Sequence, residues 1–201
     1  MATRSVETDP AKGTGKRERI LRAAIEVFAR TGYFNSKVSE IAKEAGVADG
    51  TIYLYFLGKE DLLISIFREH MRAYLEGVGQ VMAGERDPQA RIRKVIRFHL
   101  ESLGSDRALA IVFQVELRQS LKFMSLFSHQ EVADYLNILR RTIEEGQQQG
   151  LFRASLHPHV TAKAVFGILD EMVTSWILSE KDIRLAESAD PVCDFVLNGL
   201  L

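Results

Sequence analysis

From Lys16 onward, apolar side chains recur every three or four positions, the spacing that gives a helix one buried stripe. No stretch alternates apolar and polar residues between hairpin turns, so the chain is expected to be all-α. The stripe Ile20, Ala24, Val27 and Phe28 defines a first helix, ended by Gly32. A second is expected near Val38 to Ala45, burying Val38, Ile41, Ala42 and Ala45 and stopped by Gly46. A short third runs through Asp49 to Tyr55. Gly58 and Lys59 then lead into a long fourth helix carrying Leu62, Leu63, Ile66, Phe67, Met71, Tyr74 and Leu75 toward Met82. The glycine- and proline-bounded turn Gly84 to Pro88 opens a second helical set, over roughly Gln89 to Leu103, Arg107 to Gln119, Gln130 to Gln149, His159 to Ser179 and Ala189 to Asn198. Gly104, Gly150, Pro158 and Pro191 punctuate it.

With 201 residues and 46% apolar content, the chain can build one or two cores. No run reaches the ~18 consecutive apolar residues of a membrane span, and Met1 to Gly15 is polar rather than signal-like, so a cytoplasmic protein without a membrane partner is expected. Cys193 is the sole cysteine, which leaves no intramolecular disulfide and no cysteine-rich metal module; it reads as a small buried hydrophobe. The formal net charge of −1 conceals a basic segment, where Lys12, Lys16, Arg17, Arg19 and Arg22 face Glu18 alone. Such a cluster is either a solvated helix face or a surface for phosphate.

Val38 to Tyr55 has the parts of a helix-turn-helix: small Ala42 where two helices cross, Gly46 at the sharp turn, and Val47 and Ile52 to fill the wedge. Beside the basic first helix and a polar, tyrosine-bearing third, this arrangement suits a reader of double-stranded DNA.

The chain resembles the TetR family of bacterial regulators through Ile20 to Phe28, through IAKEAGVADGTIYLYF from Ile41 to Phe56, and through Lys59 to Leu63. The resemblance implies a flexible arm over 1–15, a three-helix helix-turn-helix domain over 16–60, and a helical ligand-binding and dimerisation domain over 61–201. It implies that Asp49, Gly50 and Tyr53 face base edges, while Ser36, Lys37, Thr51, Tyr55 and Lys59 meet phosphates. Hydroxyls, lysines and helix N-termini suit phosphate, and a tyrosine ring suits a thymine methyl. Two departures stand out. Ala48 occupies a position where the family often has a serine or threonine cap, and the Asp49 carboxylate repels phosphate unless it accepts from a cytosine amino group. As a helix-start acid, Asp49 also has a purely structural reading.

The helix from Val160 to Leu178 is apolar on nearly every side (Val165, Phe166, Ile168, Leu169, Met172, Val173, Trp176, Ile177), so it is buried on both flanks. The family resemblance implies that the last two helices, with Val192, Phe195, Val196 and Leu200, pair with their copies in a homodimer reading an imperfect palindrome. In ALAIVFQVELRQ, from Ala108 to Gln119, an apolar helix is interrupted by Gln114, Glu116, Arg118 and Gln119. Upstream stand Arg91, Arg93, Lys94, Arg97 and His99. Helical spacing allows an Arg97 to Glu101 ion pair; the alternative is a basic mouth over an apolar tunnel.

That alternative accords with a closer likeness to FadR-type repressors of fatty acid degradation, carried by KVSEIAKEAGVADGTIYLYF, KEDLLISIF, LAIVFQVELRQS (Leu109 to Ser120), YLNIL and FGILDEMVTSWI. The likeness implies long-chain acyl-CoA as effector and no other cofactor. The tail would lie among Val112, Phe113, Gln114, Phe166 and Trp176, and the head near Arg97, Arg107 or Arg118. The rival classes are a helical acyl-CoA-processing enzyme and a repressor of multidrug type sensing lipophilic cations. No catalytic constellation is legible for the enzyme, and His157 and His159 read as a helix start rather than a metal site. The basic residues before Gln119 disfavour a cationic ligand.

Overall fold

The structure, a computed structural model, describes residues 10–119, 130–181 and 183–201, with side chains from Gly15 onward. The expected arm over 1–9, the side chain of Lys12, Ser120 and His129 lie outside the described residues. Among the described residues all regular structure is helical: α1 (Pro10–Thr31), α2 (Val38–Ala45), α3 (Asp49–Ile52), α4 (Lys59–Met82), α5 (Pro88–Gly104), α6 (Arg107–Gln114), α7 (Glu131–Gln148), α8 (Pro158–Leu178) and α9 (Ala189–Leu200), with 3₁₀ turns at Glu116–Arg118 and Leu185–Ser188. No helix among them is long and apolar enough to cross a membrane.

The chain divides into two compact units, Met1–Ile66 and Phe67–Leu201, and the division falls inside α4. In the first unit α1 supplies Ile20, Ala24, Val27 and Phe28, all fully buried, and α2 lays Ile41 and Ala42 against them. The stop after α2 is chemical. Gly46 sits at φ 65 in the left-handed region, its N–H reaching the carbonyls of Ala42 and Lys43, while Val47 N donates to Ala42 O at 3.0 Å. A side chain would strain that conformation.

Three boundaries differ from the sequence expectation. α1 begins at Pro10, so residues 10–15, expected in the arm, are helical; proline is tolerated at a first helical position, where the N–H has no partner to lose. α3 ends at Ile52 rather than Tyr55 because its bonding tightens to the three-residue pattern, Leu54 N to Thr51 O at 3.2 Å and Tyr55 N to Ile52 O at 3.0 Å. The helix expected over Arg107 to Gln119 ends at Gln114 and continues as the Glu116–Arg118 turn. That break lets Glu116 be buried, with Gln119 Nε2 donating to its Oε2 at 2.9 Å.

In the second unit α5 is central, touching α6, α7, α8, α9 and the Leu185–Ser188 turn. Asp87 caps it by accepting from Gln89 N and Ala90 N at 3.1 and 3.3 Å, with Pro88 next. Asp106 likewise caps α6 through Leu109 N at 3.0 Å. The core joins Ile92, Val95, Ile96 and Leu100 of α5 to Leu139 and Ile143 of α7, Val165, Leu169 and Val173 of α8, and Val192, Cys193, Val196 and Leu197 of α9. Cys193 is buried and unbridged.

The turn after α7 folds back on it, and the Phe152 ring fills the place where Gly146 lacks a side chain. A Cβ there would stand 2.1 Å from Phe152 Cδ2. Gly146→Ala is therefore expected to cost about 1–3 kcal/mol of stability through overpacking. Gly79→Ala, on exposed α4 surface with open space around the added atom, is expected to gain about 0.5–1 kcal/mol through helix propensity. Urea unfolding followed by circular dichroism measures both.

Candidate functional site

The first unit presents a short exposed element on a rigid base. Ile52 and Phe56 are buried and fix α3 and the turn after it, with the Arg17 guanidinium 5.1 Å above the Phe56 ring. Ala48 gives no side-chain cap, as the sequence suggested, and Thr51 N instead donates to Ala48 O at 2.8 Å. Lys37, Asp49, Gly50 and Tyr53 are exposed, and Thr51 and Tyr55 half-buried. No atom lies within 4 Å of a Cβ placed on Gly50, so nothing inside the unit requires glycine there. Phe34, Leu54 and Leu57 are exposed as well, at 60%, 79% and 92%. Sequence reasoning singled out none of them.

The other two expected phosphate contacts are occupied within the protein. Ser36 is buried and its hydroxyl donates to Tyr33 O at 2.7 Å. Lys59 Nζ donates to the carbonyls of Tyr33, Phe34 and Ser36 at 2.6, 3.2 and 2.9 Å, and lies 4.6 Å from the Tyr33 ring centroid. Burial lowers the Lys59 pKa. Lys59 thus fixes the turn that carries Lys37 into α2, where Glu40 accepts from Lys37 N at 2.8 Å. The basic cluster is also partly engaged: Arg19 donates to Ala45 O at 3.2 Å and Arg22 pairs with Glu26.

The second unit contains a partly open cavity of about 540 Å³, within the range of small-molecule sites. Its wall is aromatic: Phe67 and Tyr74 from α4, Phe98 from α5, Phe113 from α6, Tyr135 from α7 and Phe166 from α8. Phe67 and Phe113 stack at 5.5 Å, and Tyr135 meets Phe166 edge-on at 5.9 Å. One polar corner contains Gln114, Arg118 and Asp170. The Asp170 carboxylate accepts from Gln114 Nε2 at 3.1 Å and from both terminal nitrogens of Arg118 at 2.9 and 2.5 Å. This is the bidentate geometry in which arginine binds carboxylate or phosphate. A second polar group is His99 with Tyr74, whose hydroxyl oxygen lies 2.8 Å from His99 Nδ1. Burial holds His99 neutral at physiological pH, its pKa lowered to about 4.

Of the residues expected around a ligand, Phe113, Gln114, Arg118 and Phe166 line this cavity and Arg97, Arg107, Val112 and Trp176 do not. Arg97 pairs with Asp190 at 2.5 Å and Glu101 at 3.9 Å. Arg107 caps the end of α8, donating to Ile177 O and Ser179 O, both at 2.9 Å, above the Trp176 ring. Val112 is buried, and the Trp176 indole donates to Ile183 O at 2.8 Å. The ion-pair reading of α5 holds over the alternative of a basic mouth: beside Arg97 with Glu101, Arg91 pairs with Glu145, Arg93 with Asp194 at 3.1 Å, and Lys94 with Glu85 at 3.1 Å. Sequence reasoning missed Asp170, Tyr74 and Tyr135 as wall residues. An acid inside the apolar run FGILDEMV was the available signal for Asp170.

Two domain families match the chain: residues 20–66 match bacterial regulatory proteins of the tetR family, and residues 67–199 match the YsiA-like protein C-terminal region. The fatty acid metabolism regulator protein of Bacillus subtilis (strain 168) is 39% identical over 182 residues, covering 90% of this chain and 94% of that protein. Among solved structures, the fatty acid degradation regulator FadR of Bacillus halodurans superposes with a TM-score of 0.86 at 39% identity, over 92% of this chain and 96% of the other. FadR of Bacillus subtilis, solved in complex with stearoyl-CoA, gives 0.84 at 38% identity, over 92% and 99%. The chain therefore belongs to the tetR family of bacterial regulatory proteins, as a transcriptional regulator homologous to FadR rather than an enzyme.

Proposed function

We propose that the protein is a homodimeric, cytoplasmic repressor that leaves a palindromic operator when long-chain acyl-CoA enters the second unit, and so controls genes of fatty acid degradation. The observation that carries this reading is the cavity itself, an aromatic-walled volume with one arginine held by an acid at a polar corner. An acyl tail gains about 0.8 kcal/mol per buried methylene, and an arginine is a suitable donor to the phosphates of the head. The stearoyl-CoA complex of the B. subtilis relative supports the same ligand class. A lipophilic cation would need a free carboxylate, and Arg118 neutralises Asp170.

Release requires that the ligand favour a form whose reading elements no longer match the operator. We assign the coupling to α4, because it holds the boundary between the two units and its residue Phe67 begins the cavity wall. Lys37, Thr51 and Tyr55 serve phosphate and Asp49, Gly50 and Tyr53 serve bases, with Ser36 and Lys59 supporting them from inside. A reading helix this short specifies few bases, so specificity calls for two half-sites one helical turn apart. The apolar surface left on α8 and α9, with Val160 61% and Phe195 69% exposed, suits a two-fold interface.

Operator binding followed by fluorescence anisotropy tests the reading. Stearoyl-CoA at low micromolar concentration should release wild-type protein while coenzyme A does not, and Arg118→Ala should bind the operator normally but resist release. Persistence of the complex at saturating acyl-CoA of every chain length would remove the effector assignment. Tyr53→Ala should lose about tenfold or more on operator relative to random DNA, and Gly50→Ala should weaken binding without lowering the melting temperature; equal losses on both DNAs would refute base reading by Tyr53. In analytical ultracentrifugation wild type should sediment as a dimer and Phe195→Asp as a folded monomer.

A further inference from the structure

The cavity wall contains a hydrogen-bond chain that an alkyl tail does not need. Tyr74, His99 and Tyr135 all line the cavity and meet at one point. The Tyr74 and Tyr135 hydroxyl oxygens lie 2.8 and 3.4 Å from His99 Nδ1. His99 is only 5% exposed, and among the described residues its Nε2 has no hydrogen-bond partner although it is buried.

Proton placement follows from counting donors and acceptors. A neutral imidazole carries one N–H, and burial keeps His99 neutral. A proton on Nδ1 would leave the hydroxyl protons of two tyrosines seeking acceptors in an aromatic cavity. A bare Nδ1 instead accepts from Tyr74 at 2.8 Å, with the Tyr135 hydroxyl facing the same lone pair at 3.4 Å. The imidazole proton then resides on Nε2, a buried donor with nothing to receive it. Buried donors are paired in the great majority of proteins, and an unpaired one beside a cavity marks a place for a ligand acceptor.

Resting on the acyl-CoA reading, we propose that His99, oriented by Tyr74, donates from Nε2 to the carbonyl oxygen of the ligand's thioester, so that the cavity distinguishes an acyl chain from a plain alkyl chain. In an acyl-CoA this oxygen is the first acceptor beyond the methylene tail. The nearby polar corner agrees with that register, since the Asp170 carboxylate is close enough to His99 to bias its charge and Asp170 holds Arg118. The tail would then occupy the aromatic part of the cavity and the head would lie on the Arg118 side.

The test compares stearoyl-CoA with S-octadecyl-coenzyme A, a thioether in which a methylene replaces the carbonyl, by calorimetric titration of full-length wild type, His99→Phe and His99→Gln. Wild type should prefer the thioester by about tenfold, as expected for one buried hydrogen bond. His99→Phe should bind thioester and thioether with equal affinity, and His99→Gln, which retains a donor, should recover part of the preference. If His99→Phe fails to fold, the wild-type and His99→Gln ratios decide. Equal affinity of wild type for both ligands, or an undiminished preference in folded His99→Phe, overturns the role of His99 and leaves the acyl-CoA reading standing. Failure of wild type to bind either ligand overturns both.

Discussion

The second unit is built around a volume that its own side chains leave open, and the rest of its structure is the means of holding that volume. A void lined by aromatic rings forfeits dispersion contacts that a collapsed core would make. It persists because the helices around it are tied together elsewhere. The core face of α5 locks α7, α8 and α9 through Ile92, Val95, Ile96 and Leu100. Outside the core, Arg93 and Arg97 pair with Asp194 and Asp190 of α9, and Arg107 clasps the end of α8. Exposed pairs of this kind add little stability each, but they fix the position of α5 and α8, whose other faces border the cavity.

Within this frame most polar groups of the wall gather in two clusters, Gln114 with Arg118 and Asp170, and His99 with Tyr74 and Tyr135. Arg118 and Asp170 neutralise each other in a geometry that a phosphate could take over, and Tyr74 orders His99. Both arrangements hold a charge or a proton in one direction without a ligand, so the orienting cost is met before binding. The same logic applies in the first unit, where Lys59 and Ser36 fix the turn ahead of α2 from inside and leave Lys37 exposed at the helix start.

What was legible in the sequence was what depends on local rules. Gly46 after an apolar period marks the end of α2, and the Lys59 start of α4 follows Gly58. The fold class and the helix-turn-helix needed nothing more. What depended on distant partners was not legible. The Arg97 to Glu101 pair was legible from helical spacing, but the acids that take up Arg97 and Arg93 on α9 were not, because they lie 93 and 101 residues away. Arg118, Gln114, Phe113 and Phe166 were identified from the interruption of an apolar helix and from family likeness, whereas His99 was hidden in a run of basic residues and Tyr135 in an ordinary apolar stripe. Their meeting at one point is a tertiary fact with no signature in spacing.

Native mass spectrometry of the full-length protein incubated with stearoyl-CoA, followed by denaturation and mass analysis of the released ligand, tests the central claim most directly. The account predicts one adduct per protomer with the mass of the added thioester, recovered intact on denaturation. Protomers that remain bare at saturating ligand, or a ligand returned as free acid and coenzyme A, would contradict it.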